Sequence, residues 1–134
     1  MDRRTFLLAT TSAAFAAPAF AFTDYTTGLV DRELAAGKTV FIDFAADWCS
    51  TCRAQESKIK ALKAENPAYE ANVLFVRVDW DDHRNGELAN RLNIPRRSTL
   101  VVLKGDQELG RIVAGTRTEQ IKALMDTALA AAVA

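Results

Sequence analysis

The two cysteines of the chain, Cys49 and Cys52, are separated by only two residues. They follow residues 39–44, a short apolar run with β-branched and aromatic side chains that predicts a buried strand. The composition of residues 51–65 is helical, and the Asn-Pro pair at 66–67 ends that helix. The cysteine pair is therefore expected where a buried strand leads into the N-terminus of a helix.

This spacing favours redox chemistry over a structural crosslink. In the chain-entropy model a disulfide that closes so short a loop contributes only about 2 kcal/mol, before strain is subtracted. A helix N-terminus offers unpaired amides and the positive end of the dipole, which lower the pKa of a thiol. We therefore expect a reactive Cys49 thiolate, with Cys52 one turn further along and more buried. The alternatives are a structural disulfide and a zinc site, for which His83 is the one spare soft ligand.

Residues 1–21 have the features of an export signal. Arg3 and Arg4 precede an apolar, alanine-rich run, and the run ends in a small-x-small cleavage site at Ala21. The paired arginines followed by Thr-Phe-Leu resemble a twin-arginine (Tat) signal, with an ordinary Sec signal or an uncleaved anchor as alternatives. We therefore predict one periplasmic domain, residues 22–134, in a compartment where disulfides form.

The balance of charges argues against two classes of partner. The chain has 17 Lys and Arg against 17 Asp and Glu, and it stays near neutrality without the predicted signal. It has neither the basic field that nucleic acid requires nor a polybasic patch for a membrane surface. We predict a monomer that does not bind nucleic acid.

The remaining segments alternate between strand and helix patterns. We predict strands at 73–80, 98–105 and 108–115, and helices at 25–36, at 85–92 and at the C-terminus. The last helix is expected to begin with a capping box formed by Thr116 and Glu119. This order predicts an α/β fold in which a central mixed sheet of about four strands has helices on both faces.

The segment FIDFAADWCSTCR resembles the active-site segment of thioredoxin-like thiol–disulfide oxidoreductases. The resemblance extends from the first long strand to the last helix. The ADWC tetrapeptide is similar to the C-terminal periplasmic thioredoxin-like domain of DsbD-type electron transporters. The resemblance implies a thioredoxin-like fold and a thiol–disulfide oxidoreductase that acts on protein disulfides or dithiols without a bound cofactor.

The resemblance also implies roles for individual residues. Cys49 corresponds to the attacking cysteine, Cys52 to the resolving cysteine, and Trp48 to the tryptophan that flanks the active-site surface. Asp43 corresponds to the buried acid that exchanges a proton with Cys52. Burial in so apolar a strand would raise the pKa of its carboxyl, unless the side chain faces solvent instead. Arg77 is expected either to pair with Asp43 or to face outward.

The sequence departs from the family at one position. Thioredoxin-like proteins place a cis-proline directly before the third long strand, where this chain has Ser98. A cis bond before serine costs about 3 kcal/mol, so we expect a trans bond. Arg96, Arg97 and Ser98 would then shape the substrate groove, leaving the thiols more open to metal and favouring acidic partners.

The direction of electron flow is less constrained by the sequence. The Ser-Thr dipeptide between the cysteines matches neither reducing thioredoxins nor strong oxidants, while the ADWC similarity and the lack of a histidine in the dipeptide favour reduction. Reduction in the periplasm requires a membrane electron donor. The alternatives are a dithiol oxidase, a non-catalytic binding module and a metallochaperone. His83 is assigned no role, and no metal site is predicted.

Overall fold

A computed structural model describes residues 22–134, so the predicted export signal lies outside the described residues. The strands are β1 (Thr23–Asp24), β2 (Thr39–Ala45), β3 (Leu74–Asp79), β4 (Thr99–Lys104) and β5 (Gln107–Val113). The helices are α1 (Leu29–Ala35), α2 (Ser50–Glu65), α3 (Ala68–Asn72), α4 (Trp80–His83), α5 (Glu87–Arg91) and α6 (Thr118–Ala132).

The five strands form one mixed sheet in the order β1-β3-β2-β4-β5. Strands β1 and β2 run parallel to β3, whereas β4 runs antiparallel to β2 and β5 antiparallel to β4. The central strand β2 is buried along its whole length. The prediction of an α/β fold with a mixed sheet is confirmed, with four long strands and, in addition, the two-residue strand β1.

Side chains of β2 alternate between two apolar cores, one on each face of the sheet. Phe41 packs in the core that includes Ile59 of α2 and Ile121 of α6. Ile42 packs in the opposite core, with side chains from α1 and α5. By this alternation Asp43 faces the same side of the sheet as Phe41, toward α2. The helices on both faces were predicted from the order of elements.

The N-terminal segment differs from its prediction. Instead of a helix over residues 25–36, the chain first adds β1 to the edge of β3, and the Tyr25 amide continues this pairing with a 2.9 Å bond to the Arg77 carbonyl. Helix α1 begins only after Gly28, whose φ of 88° is readily adopted by glycine. A two-residue strand is too short to show an alternating pattern in the sequence. It forms because its backbone pairs with β3.

Three helices also differ from the sequence predictions. The short helices α3 and α4, which follow Pro67 and β3, were not predicted. The predicted capping box of Thr116 and Glu119 is wrong: the N-cap of α6 is Arg117, with no side-chain capping bond. The chain is still extended at Arg117, so the Thr116 hydroxyl lies one residue too early to accept from the first helical amides.

Within residues 22–134, no helix is both long and apolar enough to cross a membrane.

Candidate active site

Cys49 and Cys52 form a disulfide at the start of α2, with their Cα atoms 5.3 Å apart. Cys49 is the N-cap of the helix, as the sequence indicated, and its sulfur accepts a 3.1 Å hydrogen bond from the Cys52 amide. The first turn of α2 contains no acidic residue, so no negative side chain there would repel a thiolate at Cys49. These features favour negative charge on Cys49 Sγ once the disulfide is reduced.

Both cysteines are buried in this oxidised form. Cys52 is 1% exposed and Cys49 2% exposed, so the two cysteines differ little in burial in the disulfide state. The two sulfurs pack with Ala45, Ala46 and the partly buried ring of Trp80. In the disulfide state neither cysteine side chain therefore projects from the surface.

Ser98 lies directly beside the disulfide. Its hydroxyl oxygen is 3.2 Å from Cys49 Sγ and 3.0 Å from Cys52 Sγ, and the residue is fully buried. The described residues contain no cis peptide bond, so Ser98 is trans, as expected. Its φ of 63° lies in the left-handed region, a conformation that the sequence did not predict.

Gln55 was missed by the sequence analysis. Its side-chain amide donates to the carbonyls of Ser98 (2.9 Å) and Gly115 (3.0 Å), and the residue is fully buried. A signal was present, because Cys52, Gln55 and Ile59 recur at the spacing of one helix face. A glutamine on the buried face of a helix indicates a polar contact with another segment.

Asp43 is fully buried, which excludes the solvent-facing alternative. Among the described residues, no donor reaches either of its carboxylate oxygens. Burial raises the pKa of Asp43 well above its usual value, and the negative charge of Glu56 raises it further. The positive charge of Arg77 opposes this shift. Asp43 is thus held in its protonated form into a higher pH range than an ordinary aspartate.

Arg77 takes neither of the two predicted positions. It is the register partner of Asp43 across β2 and β3, but its guanidinium pairs with Glu56 (3.1 Å) and Asp47 (3.0 Å). Glu56 follows Cys52 by four residues on α2 and so lies one turn below it. Arg77 therefore joins the carboxylates of Glu56 and Asp47 in one ion-pair network. The sequence analysis predicted neither of these two partners.

Trp48 forms the exposed rim of the site, with 58% of its surface accessible. Its indole nitrogen donates to Asp81 (2.9 Å), and the Arg97 guanidinium carbon lies 4.5 Å from the ring centroid. Asp81 and Arg97, from two different segments, thus hold the ring in position. The ring remains exposed next to Cys49 in the sequence. Trp48, Arg97 and Ser98, which the sequence assigned to one groove, are therefore brought together.

Of the other residues considered in the sequence analysis, Arg96 lies beside Arg97 and His83 lies away from the cysteines. Arg96 is half-buried, and its Nε donates to the carbonyl of Arg97 (3.0 Å). His83 packs edge-on against Tyr25, with ring centroids 4.9 Å apart, and not against the cysteines. Trp80, the first residue of α4, packs against the cysteine cluster and edge-on against Phe44.

Comparison with known proteins decides the family. A family model described as thioredoxin matches residues 23–127. The chain belongs to the thioredoxin family. The match and the Cys49–Cys52 pair support thiol–disulfide oxidoreductase activity, as the sequence indicated.

Several thioredoxins resemble this chain over most of its length. Thioredoxin Asp f 28 of Aspergillus fumigatus is 30% identical over 72% of this chain and 84% of its own length. An H-type thioredoxin of Fagopyrum esculentum is 34% identical over 62% of this chain and 66% of its own length. The solved structure of Trxlp from Edwardsiella tarda has 26% identity and a TM-score of 0.65, covering 79% of this chain and 96% of that one. The match with the Fagopyrum thioredoxin spans about two thirds of that protein's length, and the other two matches span most of theirs.

In the part of the chain that the structure describes, no group of three or more His, Cys, Asp or Glu side chains is placed to hold a metal ion.

Proposed function

We propose that this thioredoxin-family protein exchanges disulfides with protein substrates through Cys49 and Cys52. The observation that carries the proposal is a disulfide at a helix N-terminus, with one sulfur already accepting from a helix amide. A structural crosslink of this span would stabilise the fold little. A reversible bond at this position gains from the dipole each time that it opens.

The reaction divides into two exchanges. The Cys49 thiolate attacks a substrate disulfide, a mixed disulfide forms, and one substrate sulfur leaves as a thiolate. The Cys52 thiol then loses its proton and attacks Cys49 Sγ, which releases the second substrate sulfur. The substrate gains two electrons, and the Cys49–Cys52 pair is oxidised.

Asp43 is the proposed acceptor of the Cys52 proton. Its raised pKa brings it closer to the pH at which a carboxyl group can both take and return a proton. It lies on β2, which leads into the cysteine segment, and it couples to Glu56 one turn below Cys52. An exposed carboxylate of ordinary pKa would be a weaker base for a thiol.

The substrate groove is proposed to be formed by Trp48, Arg97 and Ser98. Trp48 offers an exposed aromatic face, and Arg97 places a positive charge over it. This combination suits a substrate segment that carries an apolar side chain and a nearby carboxylate.

The proposed direction is reduction in the periplasm, with a membrane protein as electron donor. Support comes from the export-signal features of residues 1–21, from the ADWC segment and from the absence of a histidine between the cysteines. The protein would act as a monomer on misoxidised proteins or on thiols that must be kept reduced. A dithiol oxidase is the alternative that uses the same residues in reverse.

Insulin reduction with dithiothreitol as electron source tests the function. We expect the wild type to accelerate precipitation of the insulin B chain and Cys49→Ser to abolish the acceleration. The matched variant Cys52→Ser should instead accumulate a mixed disulfide between Cys49 and the substrate, detected by non-reducing gels. If wild type and Cys49→Ser are equally slow, the proposal is wrong.

A further inference from the structure

The Ser98 hydroxyl is directed at the two sulfurs and at nothing else. Among residues 22–134, its hydrogen-bond partners are Cys49 Sγ at 3.2 Å and Cys52 Sγ at 3.0 Å. The sulfurs of a disulfide are weak acceptors, so the buried hydroxyl is only partly satisfied in the oxidised protein. A polar group in this state indicates that its better partner exists in another state of the protein.

The backbone fixes this hydroxyl in position. Ser98 has a φ of 63°, a left-handed conformation that disfavours residues with a Cβ atom. It is held there by three hydrogen bonds: its amide donates to the Phe44 carbonyl (2.7 Å), and its carbonyl accepts from the Ala114 amide (2.8 Å) and the Gln55 side chain (2.9 Å). Three separate segments therefore hold the side chain against the disulfide.

Reduction changes what the hydroxyl can bind. A hydroxyl donates one hydrogen bond and accepts others, whereas a thiolate only accepts and a thiol can donate. Cys49 Sγ already has one donor, the Cys52 amide at 3.1 Å. The Ser98 hydroxyl is the second donor within reach of that sulfur, and it is equally close to the sulfur of Cys52.

We propose that Ser98 bridges the two sulfurs of the reduced protein. Its oxygen accepts a hydrogen bond from the Cys52 thiol, and its proton is donated to the Cys49 thiolate. No covalent bond to Ser98 forms, the proton stays on Cys52, and the negative charge stays on Cys49. The inference rests on the proposed redox function of the pair.

The bridge has a direct consequence for the redox equilibrium. A hydrogen bond to an anion is stronger than one to a neutral acceptor, so the bridge stabilises the reduced form more than the disulfide. It lowers the pKa of Cys49 and makes the pair a weaker reductant than it would be without the hydroxyl. Ser98 thus sets the potential of the pair from the position at which the family places a proline.

Two variants that remove the hydroxyl test the bridge. Ser98→Ala keeps a Cβ atom in the left-handed conformation, whereas Ser98→Gly relieves that conformation. We expect both to raise the pKa of Cys49 by about one unit, which is a tenfold change in its ionisation constant, as measured by thiolate absorbance. In glutathione equilibration both should become stronger reductants by up to about tenfold in equilibrium constant, which is about 30 mV for a two-electron couple.

The stabilities of the same variants supply the contrast. Ser98→Gly should be the more stable of the two in urea unfolding, because glycine tolerates the positive φ. A purely structural role would make the redox changes follow stability, so that the two variants would differ in pKa. Asn93→Gly relieves a second left-handed residue, with φ of 53°, and should change neither pKa nor potential.

The inference is wrong if Ser98→Ala and Ser98→Gly both keep the wild-type pKa of Cys49 and the wild-type potential. That result can be told apart from failure of the proposed function. If the wild type reduces insulin through Cys49 while the Ser98 variants titrate like it, only the bridge is refuted. If the wild-type pair does not equilibrate with glutathione at all, the redox function itself is refuted.

Discussion

Two buried polar groups, the Ser98 hydroxyl and the Asp43 carboxyl, are proposed to act on the cysteine pair, and they differ in their hydrogen-bond partners. The Ser98 hydroxyl has the two sulfurs as its partners. The Asp43 carboxyl has no donor among the described residues and shares its surroundings with Glu56. The first group can stabilise negative charge on sulfur, whereas the second resists negative charge on itself. The hydroxyl therefore favours the thiolate, and the carboxyl, once deprotonated, is a stronger base for the Cys52 proton than an ordinary carboxylate.

The largest difference is expected in the resolving step. Asp43→Asn removes the proposed base, so resolution of the mixed disulfide by Cys52 should slow by roughly 100-fold at neutral pH. The initial attack by Cys49 should change far less, because the helix N-terminus is untouched. Rapid mixing of reduced protein with a chromogenic disulfide separates the two phases. Equal slowing of both phases would remove Asp43 from the role of proton acceptor.

The next effect is on the pH dependence of stability. Because the folded pKa of Asp43 is raised above an unfolded value of about 3.9, its stabilising contribution is full below that pH and is lost as pH rises through the folded pKa. Asp43→Asn lacks this loss. From pH 4 to pH 8 the variant should therefore gain unfolding free energy relative to wild type. Parallel urea-unfolding curves of the two proteins across that range would contradict the raised pKa.

Gln55→Leu should affect the Ser98 hydroxyl without affecting the Asp43 carboxyl. It removes a buried donor to the Gly115 carbonyl and one of the two donors to the Ser98 carbonyl, so we expect a loss of about 1–3 kcal/mol in unfolding free energy. By loosening Ser98 it should also raise the pKa of Cys49, and it should leave the resolving step dependent on Asp43 as before. A stability loss with an unchanged Cys49 titration would mean that Gln55 does not position Ser98.

Glu56→Gln is expected to have the smallest effect, and on the carboxyl side alone. Removing its charge should lower the pKa of Asp43, while burial keeps that pKa above the ordinary value. The pH midpoint of the resolving step should move down, with the pKa of Cys49 little changed. The lost pair with Arg77 is half-buried, so its stability cost should stay near 1 kcal/mol. An upward shift of the midpoint would contradict the effect assigned to the Glu56 charge on the pKa of Asp43.

Short-range patterns predicted the part of the site that lies on one stretch of chain. The apolar strand, the helix after it and the cysteines at their junction all come from residues 39–65, so periodicity and helix-end chemistry suffice there. The burial of Asp43 could be predicted in the same way, from its apolar neighbours in the strand.

Contacts between distant segments were harder to predict. Glu56 meets Asp43 only because α2 packs across the sheet, and Gln55 reaches Ser98 across 43 residues of sequence. The left-handed conformation of Ser98 is imposed by its three backbone partners, and serine itself gives no such signal. The position of Ser98 beside the cysteines came from the family resemblance, whereas its bond to both sulfurs required the structure.

The reduction potential of the Cys49–Cys52 couple tests the central claim most directly. It can be measured by equilibrating the protein in glutathione buffers and following the fraction of disulfide by mass spectrometry. We predict one reversible two-electron transition on the reducing side, nearer to the value of about −270 mV for thioredoxin than to about −120 mV for the oxidant DsbA. A potential near −120 mV would contradict the reducing function, and a disulfide that no glutathione ratio opens would contradict disulfide exchange altogether.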